Sequence, residues 1–216
     1  MEPDVLQQLL KKSITPDELL HQAKQNAEVL SLILSGVSSS KAAIRYGCAK
    51  TLMTLSEDSP EHLYPYMNTF IDLLESKYRI LTWNALAILA NLATVDTENK
   101  FDALFHRYFR FIHDEYMVTV ANVVGHAGKI ALANPHLIDA ITEKLLQVEH
   151  LATTPHLTEE CKRVIAQAAI KSFTMFFDQI EQKAKVIAFV KRHRTSPRKG
   201  LRTEAETFLK RVTSPT

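Results

Sequence analysis

The side chains in this sequence best able to recognise another molecule are amides and cations. Asn84, Asn91 and Asn122 lie in otherwise apolar stretches, as does His126. A primary amide or an imidazole in that setting can grip a partner by donating and accepting hydrogen bonds at once. Arg45, Lys50 and Lys129 occupy comparable stretches and add positive charge. A second group is the run Lys191-Arg192-His193-Arg194-Thr195-Ser196-Pro197-Arg198-Lys199-Gly200, followed by Arg202. Five Lys/Arg stand in that run. Such density can neutralise the phosphates of a nucleic acid or another anionic surface, or it can form the solvated terminal unit that stacked repeats require. No aromatic residue interleaves the run for base stacking.

Covalent chemistry finds no comparable pattern. There is no Gly-rich phosphate loop, no His-Glu-x-x-His and no Gly-x-Ser-x-Gly. Nine histidines are scattered along the chain. The two cysteines, Cys48 and Cys161, sit in apolar helical patterns without Cys-x-x-Cys spacing, and read as buried free thiols in a reducing compartment. No catalytic residue, cofactor or metal is expected.

The bulk composition bounds the fold. The 216 residues are 46% hydrophobic and 23% charged, with only five glycines. That suits one ordinary domain or one short solenoid with ample core material, and the scarcity of glycine favours helices over turn-rich β architecture. Net charge is +2, but residues 183–216 hold ten Lys/Arg against two Glu, while the first 182 residues hold 16 basic and 22 acidic groups. The chain is an acidic body with a basic C-terminal end. No apolar run reaches the ~18 residues of a membrane span, and the acidic start is unlike a secretory leader. A cytoplasmic location is expected, or a nuclear one in a host with a nucleus.

Four dipeptides, Thr15-Pro16, Ser59-Pro60, Asn134-Pro135 and Ser196-Pro197, each place a capping side chain before a proline, the pattern of a helix start. Thr15-Pro16-Asp17-Glu18 adds a capping box. Helices are predicted over about 3–12, 16–25, 26–36, 41–56, 60–75 (bent by Pro65), 77–94, 99–112, 115–133, 136–148, 158–178, 180–194 and 198–212, with the longest loop at 152–157. The stretch 80–93 is apolar all round and should be buried on nearly every side. Trp83 within it reads as a core or inter-helix residue.

Every second helix repeats a pattern. Ile44-Arg45, Cys48-Ala49, Leu52 is echoed by Ile80-Leu81, Asn84-Ala85, Ile88, then by Val118-Thr119, Asn122-Val123, His126, more weakly by Ala166-Gln167, Ala169-Ile170, and again by Leu201-Arg202, Ala205, Phe208-Leu209. The first two steps are 36 and 38 residues. Small residues let neighbouring helices approach and branched ones fill the layer between them, so hairpins stack into one continuous core. Gly125 and Gly128 cost helix stability, about 1 kcal/mol each against alanine. Close packing explains them most simply; approach of a partner's backbone is the alternative.

These repeats resemble the HEAT and armadillo families of α-solenoids. Phe70-Ile71-Asp72-Leu73-Leu74 looks like a HEAT first helix, Ile44-Arg45-x-x-x-Ala49-x-x-Leu52 like its second, and Ala90-Asn91-Leu92-Ala93 like the end of an armadillo third helix. The resemblance covers about 26–212. It implies an all-α, right-handed superhelix of about five hairpins, one domain over 1–216 with capping helices at 1–25 and a tail at 213–216. In armadillo proteins a ladder of asparagines clamps an extended peptide, and Asn91 matches that position, with Ala87 where the companion tryptophan stands. Asparagines bonding adjacent helices or loops are the competing reading. HEAT-like di-iron enzymes use His-Glu dipeptides, and no histidine here is followed by Glu. HEAT-like DNA glycosylases line a basic groove with aromatics, for which Trp83 alone is thin material.

The expectation is therefore a non-enzymatic scaffold that presents Arg45, Lys50, Asn84, Asn91, Asn122, His126 and Lys129 to a protein partner. The alternative is nucleic-acid binding through Lys191, Arg192, Arg194, Arg198, Lys199 and Arg202. Self-association through an uncapped end is compatible with the first.

Overall fold

Thr15 shows how the local chemistry sets the elements. Its Oγ1 accepts from the backbone N–H of Glu18 at 3.2 Å, and the Glu18 carboxylate accepts from Thr15 N–H at 2.9 Å. Two of the donors at this helix start are thereby satisfied. The Thr15 N–H and the Thr15 hydroxyl, which donates to the same carboxylate at 2.8 Å, hold the Glu18 carboxyl below its ordinary range. The computed structural model describes residues 5–213, and the helices it contains are α1 (Val5–Lys11), α2 (Pro16–Gln25), α3 (Ala27–Gly36), α4 (Ala42–Asp58), α5 (Met67–Leu73), α6 (Arg79–Leu92), α7 (Lys100–Phe109), α8 (Met117–Ala133), α9 (Ile138–Leu146), α10 (Glu159–Phe176), α11 (Lys183–Arg192) and α12 (Lys199–Thr213). Among the described residues there is no strand, only an isolated bridge between Thr154 and Leu157. The start of the helix predicted at 3–12 and the end of the tail at 213–216 lie outside the described residues.

The proline dipeptides divide into two kinds. Thr15 caps its helix. Ser59 and Asn134 instead close the helix before them, their N–H groups bonding to Leu55 O and Ile130 O. A 3-10 turn follows each, Pro60–His62 and Pro135–Leu137. A second turn at Tyr64–Tyr66 carries Pro65, and α5 begins only at Met67. Proline suits a first turn because its missing N–H would be unsatisfied there anyway. Ser196 falls between these cases: its Oγ accepts from Arg198 N–H at 3.3 Å, and α12 begins at Lys199.

The chain forms two compact units, Met1–Glu98 and Asn99–Thr216. In the first, α4 packs on α3 and α6, α5 packs on α6, and both α1 and α2 lie against α3 and α4. Leu19, Ile33, Leu52, Leu55 and Phe70 are wholly buried there. In the second, α10 packs on α8 and α12, and α9 touches α8, α10 and α11. Its core is aromatic: Phe101, Tyr108, Phe109, Phe173, Phe176, Phe189 and Phe208. Burial also pushes the Tyr108 hydroxyl's pKa up.

Helix α6 is buried continuously from Ala85 to Leu92, as its apolar excess requires. Trp83 and Asn84 are half-buried, so Trp83 is a partly exposed residue of this helix rather than core. The repeat register is one residue different from the one the sequence suggests. Ile44 is buried, whereas Ile80 and Val118 are 44% and 43% exposed. The buried counterparts of Ile44 are Leu81 and Thr119. At 100° per residue, one step moves a side chain from the edge of a helix's apolar face onto it.

The loop at 151–158 is tied down. Met117 N–H, at the start of α8, donates to His156 O at 3.2 Å, and Thr154 Oγ1 donates to Glu115 O at 2.8 Å. The Tyr116 and His156 rings stack at 4.2 Å, and Leu157 is buried.

The two glycines of α8 have opposite environments. A Cβ on Gly128 would stand 2.6 Å from Met175 Sδ and 3.1 Å from the Ser172 carbonyl oxygen, whereas one on Gly125 would meet nothing within 4 Å. Gly128→Ala is expected to destabilise the protein by about 1 kcal/mol, because overpacking of about 1–3 kcal/mol exceeds the gain in helix propensity. Gly125→Ala is expected to stabilise it by about 0.5–1 kcal/mol. Urea denaturation of both variants checks the pair; equal signs would place the two sites in the same environment.

Candidate partner-binding surface

In the first unit, packing withdraws two of the expected contact residues. Arg45 is 5% exposed. Its Nη1 donates to Ser39 O at 2.7 Å and Ser40 O at 3.2 Å, and its guanidinium lies 3.8 Å over the Tyr78 ring and 4.7 Å from that of Tyr46. Arg45 braces the loop before its own helix. Asn91 is 4% exposed, and its amide donates to Ser56 Oγ at 2.9 Å, linking α6 to α4. Neither faces a partner. Lys50 is exposed beside Pro16, Asp17 and Leu20 of α2. Asn84 is half-buried on α6, and its side chain has no hydrogen bond among the described residues.

In the second unit the expected residues share one face of α8. Asn122 Nδ2 donates to Val118 O at 2.8 Å, and His126 Nδ1 lies 2.7 Å from Asn122 O. Both bonds are local, i to i−4, and leave the Asn122 side-chain carbonyl free to accept. Lys129 is half-buried one turn further on. Sequence reading missed the apolar members of this face. Val118 is 43% exposed and Leu132 44%, with the exposed Gly125 between them. On the adjoining α10, Met175 is 48% exposed and Lys171 is exposed. The signal was present: 118, 122, 125, 129 and 132 are spaced as one helical stripe. It was hidden because Val118 was aligned with a buried residue of the first unit.

The face is held from behind. Ser172 Oγ donates to Val124 O at 2.6 Å, and Gly128 lets α10 close against α8. Any partner here meets a rigid surface of three exposed apolar side chains, one amide and two lysines.

Two of the six cations at the basic end are paired with carboxylates of their own unit. Arg192 forms a two-pronged pair with Glu149, Nε and Nη2 each at 2.5 Å. Arg198 donates to Glu160 at 2.6 Å and to Gln167 at 3.2 Å. The Arg198 and Arg163 guanidiniums hold the Glu160 carboxyl below its ordinary range. Arg202 Nη1 donates to Ser196 O at 2.7 Å and Pro197 O at 3.2 Å. That bond repeats the Arg45 brace at the same offsets from the arginine. Lys191, Arg194 and Lys199 are exposed with no acidic partner among the described residues. Arg192, Arg198 and Arg202 thus have structural work, and Lys191, Arg194 and Lys199 are the cations of the run without an acidic partner among the described residues. The connection within the run is longer than expected: α11 ends at Arg192 and α12 starts at Lys199, against helices predicted to 194 and from 198.

Among the described residues no group of three His, Cys, Asp or Glu could hold a metal ion, and no helix is long and apolar enough to cross a membrane. Cys48 is buried, with its thiol pushed up to about 12 by loss of solvent; Cys161 is half-buried.

No protein-family model matches the sequence, and no curated protein matches it. Solved structures do. A designed armadillo repeat protein superposes with a TM-score of 0.63 at 16% identity, covering 96% of this chain and 90% of its own. Computationally designed armadillo repeat proteins for modular peptide recognition give 0.60 at 16%, covering 95% and 97%. A further engineered protein gives 0.56 at 14%, covering 97% and 95%. Likeness at this identity speaks for the fold alone: the chain is an all-α solenoid of the armadillo type.

Proposed function

We propose that the protein is a non-enzymatic scaffold that binds an extended segment of a protein partner across α8 and α10. The observation that carries this reading is Gly125. It lies exposed in the middle of a helix, costs that helix about 1 kcal/mol against alanine, and serves no packing. Space for a partner's backbone accounts for the residue. Val118, Leu132 and Met175 around it supply exposed apolar contact, and Asn122 and Lys129 supply hydrogen bonds. Support by analogy comes from designed armadillo proteins made for modular peptide recognition.

The test is a selection of peptides from a random library on the purified chain. Binders should lose at least tenfold in affinity for Gly125→Leu and for Val118→Asp, and keep it for Lys185→Gln on α11. Gly125→Leu should not destabilise the chain, because a Cβ there meets nothing within 4 Å. Binders indifferent to both changes on α8 would move the site elsewhere. Loss of salt-dependent binding to duplex DNA on reversing Lys191, Arg194 and Lys199 would instead favour the basic end.

A further inference from the structure

A second site lies in the second unit and does not depend on the α8 and α10 surface. A half-open cleft of about 400 Å³ opens between the end of α11, the first half of α10 and the turn at Gln147–His150. That volume falls in the range of pockets for small molecules. Val148, Ala166 and Phe189 give it an apolar floor, and Lys162, Arg163, Arg192 and His193 stand around it.

Three features of the cleft point to its occupant. First, its free hydrogen-bonding capacity is mostly donor. The two carboxylates on the rim are each already paired with a cation: Glu149 takes Nε and Nη2 of Arg192, and Glu159 Oε1 takes Lys162 and the Thr153 hydroxyl, each at 2.7 Å. The cations are only partly used. Arg192 keeps Nη1, Arg163 spends one nitrogen on Glu160, and Lys162 has donors beyond its single bond. Second, His193 Nε2 is buried and has no hydrogen-bond partner. A buried polar atom left unpaired costs about 1–3 kcal/mol and calls for an explanation. Third, the ring is fixed rather than loose, set edge-on to Phe189 at 4.9 Å between ring centres. Arg202 holds the opposite wall through its bonds to Ser196 O and Pro197 O.

We propose that this cleft binds a small organic oxyanion. Its apolar body rests on Val148, Ala166 and Phe189. Its phosphate or carboxylate oxygens take hydrogen bonds from Lys162, Arg163 and Arg192 Nη1, and His193 Nε2 donates from below.

Binding is linked to protonation of His193. Burial lowers its pKa from the ordinary 6.5, Glu149 pulls the other way, and Arg192 adds to the lowering. The charged groups around the cleft are Glu149 from the turn, Glu159, Lys162 and Arg163 from α10, and Arg192 beside it on α11. A bound anion favours the imidazolium, so it should raise the titration midpoint of His193, and by reciprocity affinity should rise as pH falls from 8 to 6. In the free protein the sign is opposite. The unfolded chain takes up the proton below about 6.5 and the folded one only at lower pH, so this histidine withdraws stability as pH falls through that window.

The experiment follows histidine ring signals by NMR in the intact chain, with His193 assigned by His193→Gln. The probes are phenyl phosphate, benzoate, inorganic phosphate and benzyl alcohol. Saturable shifts of His193 with phenyl phosphate or benzoate, at least tenfold tighter than with inorganic phosphate or benzyl alcohol, support the site. Preference between the first two tells phosphate from carboxylate. Lys162→Gln/Arg163→Gln, both on the rim, should fold normally and weaken the better probe at least tenfold. No shift of His193 at 20-fold excess over a millimolar protein sample, equal response to inorganic phosphate, or full binding by the double variant would each overturn the proposal.

Discussion

Phe173→Ala is expected to cost about 3–5 kcal/mol of stability, the range for an aromatic removed from a closed core. Phe173 is wholly buried on α10. Its ring packs against Phe176 at 6.1 Å and edge-on against Phe189 at 5.9 Å, so the cavity would open among three rings from two helices. Neighbouring aromatics cannot shrink into the space, which places the cost toward the upper part of the range. Phe173→Leu should cost clearly less, because most of the volume remains. Urea denaturation followed by circular dichroism measures both. A loss below 1 kcal/mol for the alanine variant would mean that α10 and α11 are not packed through this ring.

The second large effect is expected at Arg45. Arg45→Ala should cost about 3 kcal/mol: two charge-assisted hydrogen bonds to carbonyls, at about 1.5–3 kcal/mol each before the carbonyls regain water, and a close stack on an aromatic face at about 1–2 kcal/mol. Arg45→Lys should recover less than half of it. An ammonium cannot lie flat on Tyr78 while donating to both Ser39 O and Ser40 O. Arg45→Met then separates the parts, since it restores the apolar stem and not the bonds. If lysine matched arginine, the brace would be charge alone and the planar geometry would be incidental. Arg202 makes the same pair of bonds from a less buried position, so Arg202→Ala should cost less.

Most of the fold was legible because helix signals are local. The capping box at Thr15, the period of Cys48, Leu52 and Leu55, and the all-apolar α6 each follow from a few neighbouring residues. What local signals could not say was which polar residues the packing would consume. Arg45 and Asn91 look like exposed contacts in sequence, yet their partners are a loop five and six residues earlier and a serine in another helix. A buried amide and a partner-facing amide have the same spacing; only the neighbouring helix tells them apart. The register error has the same origin. Ile80 and Val118 are as apolar as Ile44, and hydrophobicity alone does not distinguish an isoleucine in the core from one left in the open. That is also why the apolar half of the candidate surface, Val118, Leu132 and Met175, was invisible until burial was known. His193 was overlooked for a different reason. It sits in a run of charge, and its significance comes from an unpaired ring nitrogen, which no sequence pattern encodes.

The tied loop at 151–158 gives α8 part of its start. Tyr116 provides no side-chain cap, yet the first amide of α8, that of Met117, finds its acceptor in the carbonyl of His156. The initiation signal for this helix is therefore written some forty residues downstream of it. Lengthening the loop by a few residues, harmless in an ordinary connection, would here unfasten the opening turn of the helix that carries Val118 and Asn122. A linker insertion between Thr154 and Pro155 should raise amide hydrogen exchange at 117–120 while leaving the middle of α10 protected, so the loop acts as a clasp on a helix it does not adjoin in sequence.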